Sequence, residues 1–110
     1  VLALSPYVAP FLAHAAMGDI AVPVMYQTGT RDIAIGPALG RRGYTLTRPR
    51  KYLLVLAGAA HFAWTELSPA YQETIAAYAI AFFDRELRGR SAPLLDQPGG
   101  LQVARYAHVP

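Results

Sequence analysis

The sequence contains no cysteine, a single tryptophan and two methionines among its 110 residues. Without cysteine the chain has no disulfide framework, no thiolate metal site and no cysteine nucleophile. It also lacks any apolar run near the roughly 20 residues that a transmembrane helix needs. Charged residues make up only 15% of the chain and hydrophobic residues 54%, a balance that excludes a disordered chain. The composition therefore predicts one small domain that is rich in interior residues.

Positive charge is sparse and local. The formal net charge is +3, and basic residues cluster only at Arg41–Arg42 and in the segment 48–51. A nucleic-acid site usually presents a larger basic surface, so a solvated loop explains these residues better and no nucleic-acid partner is expected. The three histidines, His14, His61 and His108, show no metal-ligand spacing. We therefore expect neither a metal nor a cofactor.

The chain begins at Val1, and its first residues already have the pattern of a buried strand. We therefore expect these residues to be a fragment of a longer protein. A secretory signal cannot be judged from such a start, so a cytoplasmic and a secreted location both stay open.

Apolar runs and glycine breaks divide the chain into alternating strands and helices. The clearest strand is Tyr52–Ala57, an unbroken apolar run that predicts a strand buried on both faces, as in a parallel sheet. The clearest helix has Ser68 as its N-cap and Pro69 at its first position, and Gly89 is placed to end it. An apolar stripe at helical spacing runs along it through Tyr71, Ile75, Tyr78 and Phe82. The other predicted elements are strands over 1–4 and 22–26, a helix over 9–17, and a short helical turn over 36–39 that Gly40 and Gly43 end.

The order strand, helix, strand, short helix, strand, helix predicts an α/β fold. We expect a parallel sheet with helices packed on its faces, as a partial three-layer α/β/α sandwich. Residues 1–89 form this domain, and residues 90–110 form a tail rich in proline and glycine. The tail is predicted to add a short strand around 101–104.

Two polar side chains, Asp32 and His61, follow the second and third predicted strands. The carboxyl ends of neighbouring parallel strands meet at one edge of a sheet, where ligands and catalytic groups collect. A carboxylate there can accept the Nδ1–H of the imidazole, fix its tautomer and stabilise the imidazolium. The pattern predicts the base half of a nucleophile–histidine–acid triad. By position alone, the candidates for lining a substrate pocket are Tyr7, Ile33, Phe62 and Trp64.

Each of these residues also has a structural interpretation. An aspartate after a strand-ending glycine is commonly a turn residue or a helix cap. A histidine beside an apolar segment is commonly a hydrogen-bonded structural residue. Phe62 and Trp64 suit packing as well as substrate contact. Residue types alone therefore leave both interpretations of Asp32 and His61 open.

The segments Gly29–Asp32 and Gly58–Phe62, each after its strand, resemble the C-terminal part of an α/β-hydrolase. More narrowly, they resemble the bacterial dienelactone hydrolase-like and platelet-activating-factor acetylhydrolase-like esterases. The segment Phe82–Gly89 is similar to the closing helix of that group. The resemblance implies that the chain holds the last three parallel strands and flanking helices of that fold. It also implies a small-molecule ester as substrate, Asp32 as the triad acid and His61 as the general base.

The nucleophile of the resembled family lies in a Gly-x-Ser-x-Gly elbow, a motif that this chain does not contain. None of its three serines, Ser5, Ser68 and Ser91, has glycine two positions away on both sides. Ser5 follows a strand and lies within conceivable reach of His61, but no glycine elbow presents its hydroxyl. We expect the longer protein to be a serine esterase, and this chain alone to be inactive.

Other functions stay open. The chain is alternatively a non-catalytic interaction module that docks through its apolar sheet edge, with Asp32 and His61 as a structural pair. The same fold also hosts other reactions, such as acyl transfer and dehalogenation. In the resembled fold, the strand that ends at Leu4 pairs with the strand that carries the nucleophile. Without that partner its edge is open and apolar, and such edges tend to pair. We expect it to pair with the N-terminal half of the hydrolase domain or with a second copy of the chain.

Overall fold

The structure is a computed structural model that describes residues 1–13 and 16–110. Within these residues, the strands are β1 (Leu2–Leu4), β2 (Val24–Gly29), β3 (Lys51–Leu56) and β4 (Val103–Val109). They form one open sheet in the order β1-β2-β3-β4, in which β1, β2 and β3 are parallel and β4 is antiparallel to β3. The chain is a mixed α/β domain with a mostly parallel sheet, which confirms the predicted fold class at this level.

The helices of the described part surround this sheet. They are α1 (Ala9–Leu12), α2 (Pro37–Leu46), α3 (Gln72–Arg88) and α4 (Pro93–Asp96), with 3₁₀ turns at Ala16–Asp19, His61–Trp64 and Pro69–Tyr71.

The long helix α3 follows the predicted apolar stripe. Its buried residues are Ile75, Tyr78 and Phe82, and Gly89 ends it with a φ of +61°, a left-handed conformation that glycine adopts without strain. Its start differs from the prediction, because Pro69 belongs to the preceding 3₁₀ turn and Ser68 makes no side-chain capping hydrogen bond.

Alternate residues of the strands pack on opposite faces of the sheet. On one face, Met25 and Leu54 join the apolar side of α3 in one core cluster. On the other face, Tyr26 and Val55 belong to a second cluster, against which side chains of α1 and α2 pack. Helices thus cover both faces, and β3 is buried along nearly its whole length, as its apolar run predicts.

The helix α2 shows where the sequence prediction was wrong, because it continues through Gly40 and Gly43 to Leu46. A Cβ on Gly43 would lie 3.1 Å from Tyr26 Cε1, and one on Gly40 would lie 3.4 Å from Thr28 Cβ. Gly43 therefore lets α2 approach β2 closely, whereas a Cβ on Gly40 would make an ordinary van der Waals contact with Thr28. This packing outweighs the roughly 1 kcal/mol that an interior glycine costs a helix.

Other boundaries also differ. α1 ends at Leu12, and part of the predicted helix over 9–17 falls on residues 14–15, outside the described residues. β2 begins at Val24 and continues to Gly29, and the predicted tail strand over 101–104 is instead the longer β4, paired with β3. In the described ranges, no helix combines the length and the apolar character needed to cross a bilayer.

Candidate active site

The loops after β2 and β3 lie against each other at the carboxyl edge of the sheet. A Cβ atom on Gly29 would lie 2.1 Å from the carbonyl oxygen of Ala59, so only glycine fits there. The N–H of Arg31 donates to the same oxygen at 3.0 Å, and the N–H of Gly58 donates to Thr30 Oγ1 at 2.8 Å. These contacts hold the two loops as one unit and carry the residues that follow in each loop to one place.

Asp32 is the centre of that place. Its side chain is buried, with only 1% of the residue exposed, and both carboxylate oxygens accept hydrogen bonds. Oδ1 accepts from the backbone N–H groups of Ala34 and Ile35, both at 3.1 Å. Oδ2 accepts from the hydroxyl of Ser5 and from His61 Nδ1, the latter at 3.1 Å. Asp32 is therefore a turn residue and a histidine partner at once, so the two sequence interpretations do not exclude each other.

Opposing effects act on the ionisation of Asp32. Burial by itself raises the pKa of this carboxyl, because it disfavours the charged form. The hydrogen bonds from Ser5, Ile35 and His61, together with the charge of His61, act in the opposite direction and outweigh burial. The net result is a pKa of Asp32 below its usual value, so the carboxylate is ionised at neutral pH.

His61 opens the 3₁₀ turn after β3, and its side chain is 39% exposed. Because an ionised carboxylate can only accept hydrogen bonds, the contact with Asp32 assigns the imidazole proton to Nδ1. The lone pair of the neutral ring then lies on Nε2, which makes no hydrogen bond to any other residue of the described part. The ring of Phe62 meets the imidazole edge-on, with 5.9 Å between centroids. His61 can therefore take up a proton at a nitrogen that a bound molecule can reach.

Ser5, directly after β1, contacts both Asp32 and His61. From the sequence, only its proximity to His61 was considered. Its Oγ lies 3.2 Å from His61 Nδ1, in addition to its bond to Asp32. Its φ of +42° is left-handed, which is uncommon for a residue other than glycine. The serine thus contacts the histidine on the nitrogen that faces the carboxylate.

The predicted pocket residues occupy two kinds of position. Tyr7, Ile33 and Phe62 are exposed, and Ile33 is fully so. Trp64 is partly buried, packs against the core cluster beneath α3, and donates its indole N–H to Gln27 Oε1 at 3.3 Å. The structure therefore places Trp64 in a packing position and the other three side chains at the surface.

No metal site emerges in the residues that the structure describes, where no three His, Asp or Glu side chains are grouped to hold an ion. His61 pairs with Asp32, and His108 stacks on the ring of Tyr52 across β3 and β4. His14 lies outside the described residues.

The chain matches no protein-family model, and a search of curated proteins finds no match. The function proposed below is therefore supported by the side-chain arrangement and by the motif resemblance alone.

Proposed function

We propose that this chain supplies the acid and the general base of a serine-type carboxylic ester hydrolase. Asp32 is the acid and His61 is the base. The observation that carries the proposal is the arrangement of this pair: a buried, ionised carboxylate accepts from Nδ1 while Nε2 stays free at the carboxyl edge of a mostly parallel sheet. Buried carboxylates that orient a half-exposed imidazole in this way are typical of general-base catalysis.

The proposed chemistry begins when Nε2 of His61 takes the proton of a serine hydroxyl as its oxygen attacks the ester carbonyl. The negative charge of Asp32 stabilises the imidazolium that results, without taking the proton itself. The imidazolium then gives the proton to the departing alcohol oxygen, and water releases the acid in a second round of the same steps. No cofactor takes part in this sequence of steps.

The nucleophile of this scheme is proposed to come from a Gly-x-Ser-x-Gly elbow outside these 110 residues, as in the esterases that the motifs resemble. Tyr7, Ile33 and Phe62 are proposed to line the pocket of a small ester, because all three are exposed. Because the proposed nucleophile lies outside these residues, the 110-residue chain alone should hydrolyse esters no faster than buffer, and serine-directed probes should not label it.

The test uses the protein encoded by the whole reading frame that contains this chain. We expect His61→Ala to lower kcat/KM for a short-chain aryl ester by about 10²- to 10⁴-fold, the usual contribution of a general base. The matched control is His108→Gln, a histidine in β4 that contacts Tyr52 and not Asp32. Both variants are checked for folding by circular dichroism and thermal unfolding. An unchanged rate in folded His61→Ala protein would overturn the proposal.

The nucleophile also decides which reaction of this fold class is catalysed. A serine at the elbow supports ester hydrolysis or acyl transfer, and the two differ in whether water or another alcohol accepts the acyl group. A carboxylate at that position would instead indicate dehalogenation. Product analysis with the same ester in the presence and absence of an acceptor alcohol separates the first two.

A second candidate function is that of a non-catalytic interaction module, which the open edge of β1 favours. β1 pairs with β2 alone in the described sheet, and its last residue, Leu4, and the preceding Val1 are exposed. In this alternative the occupant of the edge is a second copy of the chain. His61→Ala would then reduce stability and leave no hydrolytic activity to be lost.

A further inference from the structure

We propose that Ser5 is a positioning residue of the Asp32–His61 pair and not the nucleophile. Its hydroxyl holds the Asp32 carboxylate from the side opposite to the reacting nitrogen of His61. This inference rests on the proposed function, in which Asp32 and His61 act as acid and base. It assigns a role to a residue that the scheme above leaves unused.

Ser5 lies on the Nδ1 side of the imidazole of His61. Ser5 Oγ, Asp32 Oδ2 and His61 Nδ1 form a triangle, in which Oγ and Oδ2 lie 3.2 and 3.1 Å from Nδ1. A nucleophile must give its proton to a ring nitrogen with a free lone pair, and here that nitrogen is Nε2. Nδ1 already carries a proton and donates it, so it cannot deprotonate Ser5.

The hydroxyl proton of Ser5 is directed to Asp32 and not to His61. The hydroxyl donates to Asp32 Oδ2, the same oxygen that accepts from His61 Nδ1. Together with the two backbone donors on Oδ1, this gives the buried carboxylate a donor in each of its accepting directions. A carboxylate held by four donors cannot rotate freely, and its orientation fixes the plane of the imidazole.

The backbone of Ser5 is strained, independently of its hydroxyl. Its φ of +42° lies in the left-handed region, which is unfavourable for a residue other than glycine. The N–H of Ser5 donates to the carbonyl oxygen of Gln27 at 2.8 Å, which keeps β1 paired with β2 up to this turn. The turn directs the serine side chain toward the loop that holds Asp32, and only 8% of Ser5 is exposed. A strained serine that makes two polar contacts to the pair fits a positioning role better than a passive turn residue.

The experiment compares two variants that both lack the hydroxyl. Ser5→Ala keeps the left-handed strain. Ser5→Gly relieves it and should therefore fold at least as stably as Ser5→Ala. The matched control is Ser68→Ala, since Ser68 precedes α3 and makes no side-chain capping hydrogen bond. All variants are made in the protein encoded by the whole reading frame.

The first readout is the pKa of Asp32, which is measured by NMR titration of the protein with carboxyl-labelled aspartate. Asp32→Asn identifies the signal. Both Ser5 variants should raise the pKa of Asp32, because a donor to its charged form is lost. Ser68→Ala should leave it unchanged. An Asp32 titration that is the same in Ser5→Gly and wild-type protein would overturn the inference.

The second readout is hydrolysis. We expect both Ser5 variants to lower kcat by about 10- to 100-fold with little change in KM, since a hydrogen bond to a charged group is lost in the reacting complex. Labelling by a serine-directed fluorophosphonate should persist. Loss of labelling together with complete loss of turnover would make Ser5 the nucleophile and overturn the inference.

The two readouts separate this inference from the proposed function. If wild-type protein hydrolyses no ester but the pKa of Asp32 rises in both Ser5 variants, the ester-hydrolase proposal fails and the positioning of Asp32 by Ser5 stands. If hydrolysis depends on His61 but neither readout responds to Ser5, the function stands and the role of Ser5 is wrong.

Discussion

The carboxyl edge of the sheet and the lateral edge at β1 differ in how completely the chain closes them. At the carboxyl edge, the loops after β2 and β3 are joined by backbone hydrogen bonds, and the Asp32 carboxylate is fully satisfied. At the lateral edge, β1 pairs with β2 alone in the described sheet. The chain thus holds Asp32 and His61 together by its own contacts but leaves one side of its sheet open.

The lateral edge is largely apolar. A hollow of about 380 Å³ beside β1 is lined by apolar residues that include Ala3, Phe11 and Met17. A second hollow of about 270 Å³ shares Val1 with the first and is lined mainly by apolar residues such as Phe83, together with the charged Glu86. Exposed apolar surface flanking an unpaired strand is a common site of association.

The difference separates two problems, the positioning of a histidine–carboxylate pair and the completion of a sheet. The pair depends on contacts between two adjacent loops, all of which lie inside these residues. The outer side of β1, by contrast, has no partner strand in the described sheet. The following variants act on one of the two regions at a time.

The largest effect is expected at the junction of the two loops. Gly29→Ala should lower the free energy of unfolding by about 3 kcal/mol or more, because the new Cβ would meet the Ala59 backbone at 2.1 Å. Gly99→Ala is the control, since no heavy atom lies within 4 Å of the added Cβ, and it should change stability by less than about 0.5 kcal/mol. Urea unfolding measures both. Equal costs for the two variants would mean that the junction yields more easily than the structure indicates.

An intermediate effect is expected at the buried carboxylate. Asp32→Asn should cost about 1–3 kcal/mol at neutral pH, since an amide cannot accept from all the donors that face Asp32. Asp19→Asn, at an exposed aspartate, is the control and should cost little.

The cost of Asp32→Asn should also depend on pH. The pKa of Asp32 is lower in the folded protein than its usual value of 3.8, so its stabilising contribution is fully present above that value. The contribution is lost as the pH falls through the folded pKa. The stability difference between wild type and Asp32→Asn should therefore shrink in acid, and a difference that grows in acid would contradict the assigned hydrogen bonds.

The smallest effect is expected at the lateral edge. The 110-residue chain should self-associate at high concentration, and Leu4→Lys should weaken this association by about 10-fold by placing a charge at the apolar edge. Leu101→Lys is the control, because Leu101 is fully exposed in the turn before β4. Sedimentation velocity over a range of concentrations measures both variants. A wild-type chain that stays monomeric throughout would remove the support for the interaction-module alternative.

Several elements could be predicted because their signals are local. The apolar run of β3 and the apolar stripe of α3 each lie within one short, continuous segment of the sequence. Only the start of α2 could be predicted, since Gly40 and Gly43 are helix breakers by propensity and the close contact of Gly43 with Tyr26 on β2 has no sequence signal. The length and antiparallel pairing of β4 also depend on its partner β3, far away in the sequence.

The site divides in the same way. Asp32 and His61 could be singled out because each follows an apolar strand at its carboxyl end. Their contact could be predicted only on the condition that the two strands are parallel neighbours, which the pairing of β2 with β3 and the meeting of the loops at Gly29 and Ala59 fulfil. Ser5 also follows a strand, but its contact with Asp32 was not predicted, because it depends on a left-handed backbone that the residue type does not signal.

Local sequence patterns specify the α/β alternation and the polar residues that end the strands, because propensity and hydrophobic periodicity act over short stretches of chain. Which of these residues touch is set by the tertiary fold. Ser5 and Asp32 are 27 positions apart, Asp32 and His61 are 29 apart, and Ser5 and His61 are 56 apart. Contacts at such separations depend on strand order, on loop packing and on one strained backbone angle, and no local pattern specifies these.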